Sequence, residues 1–202
     1  NPDLTTSGFI VLSMIALAGM MVGVIHPAAS IVREKERGTL EQLLVAPIST
    51  FQLFLAKIAP TMIIGLLAVF PSLLIVRAFD VPMRGSLALF LILTGFFLLS
   101  AVALGVLIAA YSRTLQQALL LSFFGLFPVM FLSGTLTPVE AMPDVLQALS
   151  RLSPLRYYMD IIIGVFLKGV GWRDLWDESL CLIAIAIPML ILSLGIFRRR
   201  LQ

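Results

Sequence analysis

Few residues in this sequence could do chemistry, and its densest cluster of charge lies in one short segment. Arg33-Glu34-Lys35-Glu36-Arg37 is followed by Gly38-Thr39-Leu40-Glu41, so six charges fall within nine positions. Elsewhere the usual reactive constellations are missing. His26 is the only histidine and Cys181 the only cysteine, so neither has a companion of the kind a metal site needs. One cysteine also leaves no intrachain disulfide. His26 precedes Pro27 and is expected to be a structural helix residue, hydrogen-bonded to a neighbouring helix. No Gly-x-x-x-x-Gly-Lys-Ser/Thr run is present, so the chain has no phosphate-binding loop of that type. The long apolar stretches contain no paired acids and no Ser-His or Ser-Lys pair, which disfavours an intramembrane protease. They are essentially uncharged, which also disfavours an ion-coupled carrier.

These residues must be positioned by a very apolar chain. Of 202 residues, 60% are apolar and 12% are charged, about half the charge of a soluble domain; the mean hydropathy is +1.07. A soluble fold of this size cannot hide that much apolar surface in one core, and disordered chains have the opposite composition. The apolar runs are long and unbroken, unlike the short alternating segments of a barrel. The expected class is therefore an all-α integral membrane protein, a helix bundle. The net charge of +3 is too mild to suggest nucleic acid.

Five stretches reach the roughly 20 residues that a span needs: Leu4 to Val32, Ile58 to Val76, Gly85 to Ser112, Thr114 to Val139 and Ser179 to Phe197. The third and fourth are separated only by Arg113, so the chain must turn there. Ile161 to Leu167 is too short to cross and reads as a re-entrant or interfacial piece. Arg198-Arg199-Arg200 places the C-terminus in the cytoplasm by the positive-inside rule. Asn1 then lies outside. That orientation puts eight basic residues inside (Arg33, Lys35, Arg37, Lys57, Arg113 and the three terminal arginines) and six outside. The chain opens on Asn1 with no basic region before its first apolar run, and is expected to be part of a longer protein.

The inside loop also contains a short helix by its sequence signals. Gly38 can end the incoming helix. Thr39 with Gln42 fits a capping box, and Pro47 stops the helix at Ala46. Ser49 with Gln52 fits a second box that opens the next span. Leu40, Leu43 and Leu44 share one face. Such a short helix is marginal alone. Its leucines either rest in lipid at the interface or dock into a groove on a cytoplasmic partner.

The segment from Arg33 to Ser49 resembles the signature of type 2 ABC transporter permeases, the membrane subunits of bacterial ABC exporters of the multidrug or efflux branch. Phe131-Leu132-Ser133-Gly134-Thr135-Leu136-Thr137-Pro138 with Met142-Pro143 is similar to that family's outer loop, and Leu152-Ser153-Pro154-Leu155-Arg156-Tyr157-Tyr158 to the segment after it. The resemblance covers essentially the whole chain. It implies six spans, of which this chain would show the last five, lacking an upstream span and an extracytoplasmic domain. It implies a coupling segment over 33–48 and an outer-face region with short helices over 134–178. Within the coupling segment, Gly38 and Thr39 would be the turn and cap, and Leu40, Leu43 and Leu44 the contact face. Arg33, Glu34, Glu36, Arg37 and Glu41 would set the register, the acids meeting basic or polar groups on an ATPase, and Pro47 would end the segment. The implied partners are an ATP-binding ABC subunit, a second permease copy (homo- or heterodimer), the lipid bilayer and a periplasmic adaptor protein. This chain would bind no cofactor; ATP and magnesium would sit on the ATPase. Substrate would leave across the inner membrane, and the chain itself would not be an enzyme.

Other features are less specific. Gly19 and Gly23 form a close-packing motif, for contact within the bundle or between subunits; Ala101 and Gly105 permit a similar approach. Pro71, Pro128 and Pro188 are expected to kink their spans. Phe123, Phe124, Phe127, Met130 and Phe131 either line a hydrophobic path or simply pack. Trp172 and Trp176 with Asp174, Asp177 and Glu178 read as an outer interfacial anchor. Two rival functions stay open. One is a non-transporting assembly or regulatory subunit that docks an ATPase. The other is an outer-face lipid-modifying enzyme using Glu140, Asp144, Arg151, Arg156 and Asp160.

Overall fold

The computed structural model describes residues 2–39, 49–135 and 139–201. It is all helical among those residues. In chain order the helices are α1 (Pro2–Glu36), α2 (Thr50–Leu67), α3 (Val69–Ala78), α4 (Leu87–Tyr111), α5 (Leu115–Leu132), α6 (Asp144–Ser150), α7 (Pro154–Ile163) and α8 (Trp176–Leu201). Five segments are long and apolar enough to cross a membrane: Gly8–Glu36, Phe51–Ala78, Leu87–Tyr111, Leu115–Leu132 and Trp176–Arg199. The chain is a multi-pass membrane protein. One end of the bundle carries residues 33–39, Ser49 and the α4–α5 turn and is called the loop end here. The other carries α6 and α7 and is called the cap end.

The boundaries follow local chemistry. Gly38 has φ +68°, a left-handed conformation that glycine tolerates, and α1 stops just before it. Ser49 makes the full reciprocal capping box with Gln52. Segment 40–48, with Leu40, Glu41, Leu43, Leu44 and Pro47, lies outside the described residues. The second span is two helices meeting at Ala68. Pro71 explains the break: it offers no N–H, and its ring collides with the Leu67 carbonyl in a straight helix. Pro27, Pro60, Pro128 and Pro188 are carried inside their helices. The α4–α5 turn is only Ser112-Arg113-Thr114, with Thr114 accepting from the Gln117 N–H and Gln117 accepting from the Arg113 N–H. The fourth span is shorter than expected. It ends at Leu132, where the Ser133 and Thr135 hydroxyls both donate to the Met130 carbonyl and Gly134 turns with φ +82°.

Helix α4 is the hub, packed against α1, α2, α7 and α8. Its contact with α1 is the tightest in the bundle. A Cβ on Gly105 would lie 2.3 Å from the Val24 carbonyl oxygen and 2.7 Å from the Pro27 ring, and one on Gly23 would lie 2.6 Å from the Ala101 Cβ. Gly19 faces Phe97 at ordinary contact distance. The Gly19 and Gly23 motif is therefore turned inward, onto α4 of its own chain. A larger apolar core lies toward the cap end around Phe90, Phe97 and Phe166, and a smaller one at the loop end around Ile31, Phe54, Val106 and Phe197.

The two short helices of the cap end behave differently, although the sequence leads one to expect a re-entrant or interfacial piece at Ile161 to Leu167. Val145, Leu146, Leu149 and Leu152, on and just after α6, are exposed, whereas Tyr158, Ile161, Ile162 and Val165 are buried. So α7 and the π-helical turn after it (Gly164–Lys168) form an inserted plug of the bundle. Tyr158 stacks on Phe97 with ring centroids 3.9 Å apart, and its hydroxyl donates to Thr94 Oγ1, which itself donates to the Phe90 carbonyl. Burial pushes the Tyr158 hydroxyl above the usual phenol range. The N–H groups of Arg84 and Gly85 donate to the carbonyls of Phe166 and Val165, tying the α3–α4 connection to the plug.

Replacing Gly105 with Ala should destabilise the bundle by about 1–3 kcal/mol, because the Val24 backbone cannot yield. Gly95→Ala in the same helix, where an added Cβ meets nothing within 4 Å, should be neutral or slightly stabilising. Thermal melting of the full-length protein in detergent compares the two.

Candidate functional site

Three consecutive residues at the loop-end tip of α1 address three different helices. Successive helical residues point about 100° apart, so Glu34, Lys35 and Glu36 cannot share a face. Glu34 forms an ion pair with Lys57 of α2. The Lys35 ammonium donates to the Ala109 carbonyl and lies 3.5 Å from the Ser112 carbonyl, at the end of α4. A Glu36 carboxylate oxygen accepts from the Leu115 N–H at 2.9 Å, at the start of α5. The signs match the helix ends they meet. The last carbonyls of α4 have no partner within their helix and carry partial negative charge, so a cation suits them. The first N–H groups of α5 carry partial positive charge, so an anion suits them. Thr39 closes the tip, its hydroxyl donating to the Glu34 carbonyl at 3.3 Å.

Glu34 and Glu36, the acids expected to meet groups on an ATPase, each have a partner within the chain as well. Lys57 enters the sequence reading only as one of the inside basic residues. It lies within α2, and its side chain is 15% exposed. An isolated cation in an apolar helix was the available signal, since such a charge needs a nearby partner. One turn further along, His26 Nδ1 and Thr61 Oγ1 are hydrogen-bonded at 2.8 Å, a second polar link between α1 and α2.

The remaining candidates are spread over the bundle. Arg33 and Arg37 are exposed and make no ion pair among the described residues. Phe123, Phe127 and Phe131 form a chain of ring contacts on α5 with centroids 5.4–6.0 Å apart, Phe124 beside them. All four are exposed on the outward face, while Met130 is half-buried. They line a surface groove with Pro128 and enclose no passage through this chain. At the cap end, Arg156 donates to Ser150 Oγ and the Tyr157 hydroxyl donates to the Arg151 carbonyl. Asp144 and Asp160 are exposed, and Trp172 and Trp176 are half-exposed beside them in the chain. The side chain of Glu140, the fifth residue of that set, lies outside those described. No cluster of metal-ligating side chains occurs among the described residues.

Lys57→Ala should lower stability by about 2 kcal/mol by leaving the Glu34 carboxylate uncompensated, less than a fully buried pair would cost because both side chains retain some solvent contact. The double variant Glu34→Gln with Lys57→Met should recover most of that loss, and a double-mutant cycle on thermal melting measures the coupling.

Known proteins supply an independent comparison. Residues 1–194 match the family model for ABC-2 family transporter proteins. The chain is 36% identical over its full length to the probable multidrug ABC transporter permease YbhR of Escherichia coli, covering 55% of that protein. It is 32% identical to the probable multidrug ABC transporter permease YbhS, over all of the chain and 54% of the relative. It is 29% identical to the inner membrane transport permease YhhJ, over 98% of the chain and 54% of the relative. The chain thus spans about half the length of the curated relatives it matches. The match covers the five spans and the charged tip of α1, and the chain belongs to the ABC-2 transporter family as a membrane-spanning domain.

Proposed function

We propose that this chain is the membrane domain of a permease in an ABC exporter, driven by a separate ATP-hydrolysing subunit and working with a second permease copy. Two relatives named as probable multidrug permeases support export of a lipophilic or amphiphilic cargo. The observation that carries the coupling role is the clasp at the tip of α1. The segment from 33 to 48 leads out of α1, and Glu34, Lys35 and Glu36 join that tip to α2, α4 and α5. A force applied to this segment therefore reaches four helices together.

In this reading the loop end faces the cytoplasm, with Arg113 and the terminal arginines. The region 134–178 faces outward, where a periplasmic adaptor would meet it. ATP and magnesium bind the partner, and this chain holds no cofactor. Closure of the ATPase pair moves the coupling segment, with Leu40, Leu43 and Leu44 as its contact face and Glu41 as the acid of the short helix. Cargo passes between two permease copies, where the outward Phe123, Phe127 and Phe131 face of α5 supplies an apolar wall.

The test uses the full-length protein purified in mild detergent with whatever accompanies it. Leu43→Asp with Leu44→Asp should weaken retention of the ATPase by about thirtyfold or more, as for a buried anchor, and abolish cargo-stimulated ATP hydrolysis. Unchanged partner retention and unchanged transport would remove the coupling role and return the leucines to the lipid interface.

A further inference from the structure

The clasp leaves the two arginines of the same helix tip without an ion-pair partner among the described residues. Glu34 is neutralised by Lys57 and Glu36 is occupied at the start of α5. Arg33 and Arg37 are one turn apart and line a groove of about 620 Å³ between α1 and α5. Above them the groove is walled by Met21, Val22, Ile25 and Leu119. From Met21 to Arg33 the helix rises about 18 Å, close to half the thickness of a bilayer's hydrocarbon core. The groove thus has a cationic mouth at the depth of a headgroup and an apolar wall as deep as one leaflet.

We propose that this groove binds one anionic phospholipid from the leaflet at the loop end, with its phosphate between Arg33 and Arg37 and an acyl chain along Met21, Val22, Ile25 and Leu119. Guanidinium forks suit phosphate oxygens well. Glu34 also lines the groove, but its carboxylate is paired with Lys57, so the charge the groove offers a ligand is that of the two arginines. The lipid would fill the seam between the helix that carries the clasp and the helix that carries the phenylalanine stripe. This inference does not rest on the direction or the energy source of transport.

The experiment is native mass spectrometry of the full-length protein, as purified and with its natural oligomeric state, titrated with dioleoyl phosphatidylglycerol and, separately, dioleoyl phosphatidylcholine. Retained phosphatidylglycerol should exceed phosphatidylcholine, and the preference should fall about thirtyfold in Arg33→Gln with Arg37→Gln. Ala29→Trp keeps both arginines and fills the groove, so it should lose retention of the lipid without altering the charge. Equal retention of the two lipids would overturn the proposal. So would a preference that survives both variants. A dimer that retains no lipid would overturn it too, and would make the groove a contact between copies.

Discussion

The close approach of α1 and α4 is the contact on which the rest of the bundle is hung. It exists because position 105 has no side chain: any Cβ would collide with the Val24 carbonyl and the Pro27 ring. In a bilayer, helices gain little from burying apolar surface against one another, since lipid is equally apolar. Association depends instead on close van der Waals packing and on polar groups that find partners. Gly23 against Ala101 and Gly105 against Val24 provide the first. Once those backbones touch, α4 becomes the element that the other helices share, and the plug of α7 can stack Tyr158 on Phe97 beside it.

The second ingredient is the polarity of helix ends. A span that stops at the interface leaves unsatisfied carbonyls at one terminus and unsatisfied N–H groups at the other. The α4–α5 hairpin brings one of each to the loop end within four residues. The tip of α1 meets them with a lysine and a glutamate, each of the sign required, while its remaining acid reaches the lone cation of α2. One helix tip therefore has two faces. The inward face is electrically satisfied and binds the bundle together. The outward face keeps Arg33 and Arg37 exposed on the surface of the bundle. Segment 40–48 continues from this tip, so whatever moves that segment moves a junction rather than a loose end.

Much of this was legible in the residues. The five spans, the turn at Arg113, the stop at Gly38 and the Ser49–Gln52 box are local features. Each is written in a run of apolar residues or in a few residues with one dominant backbone preference. His26 as a structural residue bonded to a neighbouring helix could also be anticipated, because a polar ring in an otherwise apolar span gains from a partner on the next helix. The roles of Glu34 and Glu36 could not. A row of alternating charges reads the same whether it faces solvent, another protein or the ends of its own neighbouring helices. The short outer helices show the same limit. Val145-Leu146-Leu149 and Tyr158-Ile161-Ile162 have the same helical spacing, yet one set is exposed and the other forms part of the core.

The sequence by itself determined that the chain is a helical membrane bundle of five spans, where several of its turns and caps fall, and which residues lie together on each face. Those properties come from interactions within a few residues of one another. The tertiary structure alone decided what each face meets. It turned the Gly19 and Gly23 face inward onto α4, left the α5 phenylalanines outward, sank α7 into the core and joined the α1 tip to three other helices. Periodicity records that residues share a surface, but the partner of that surface is chosen by packing between segments far apart in the chain, and no local pattern encodes it.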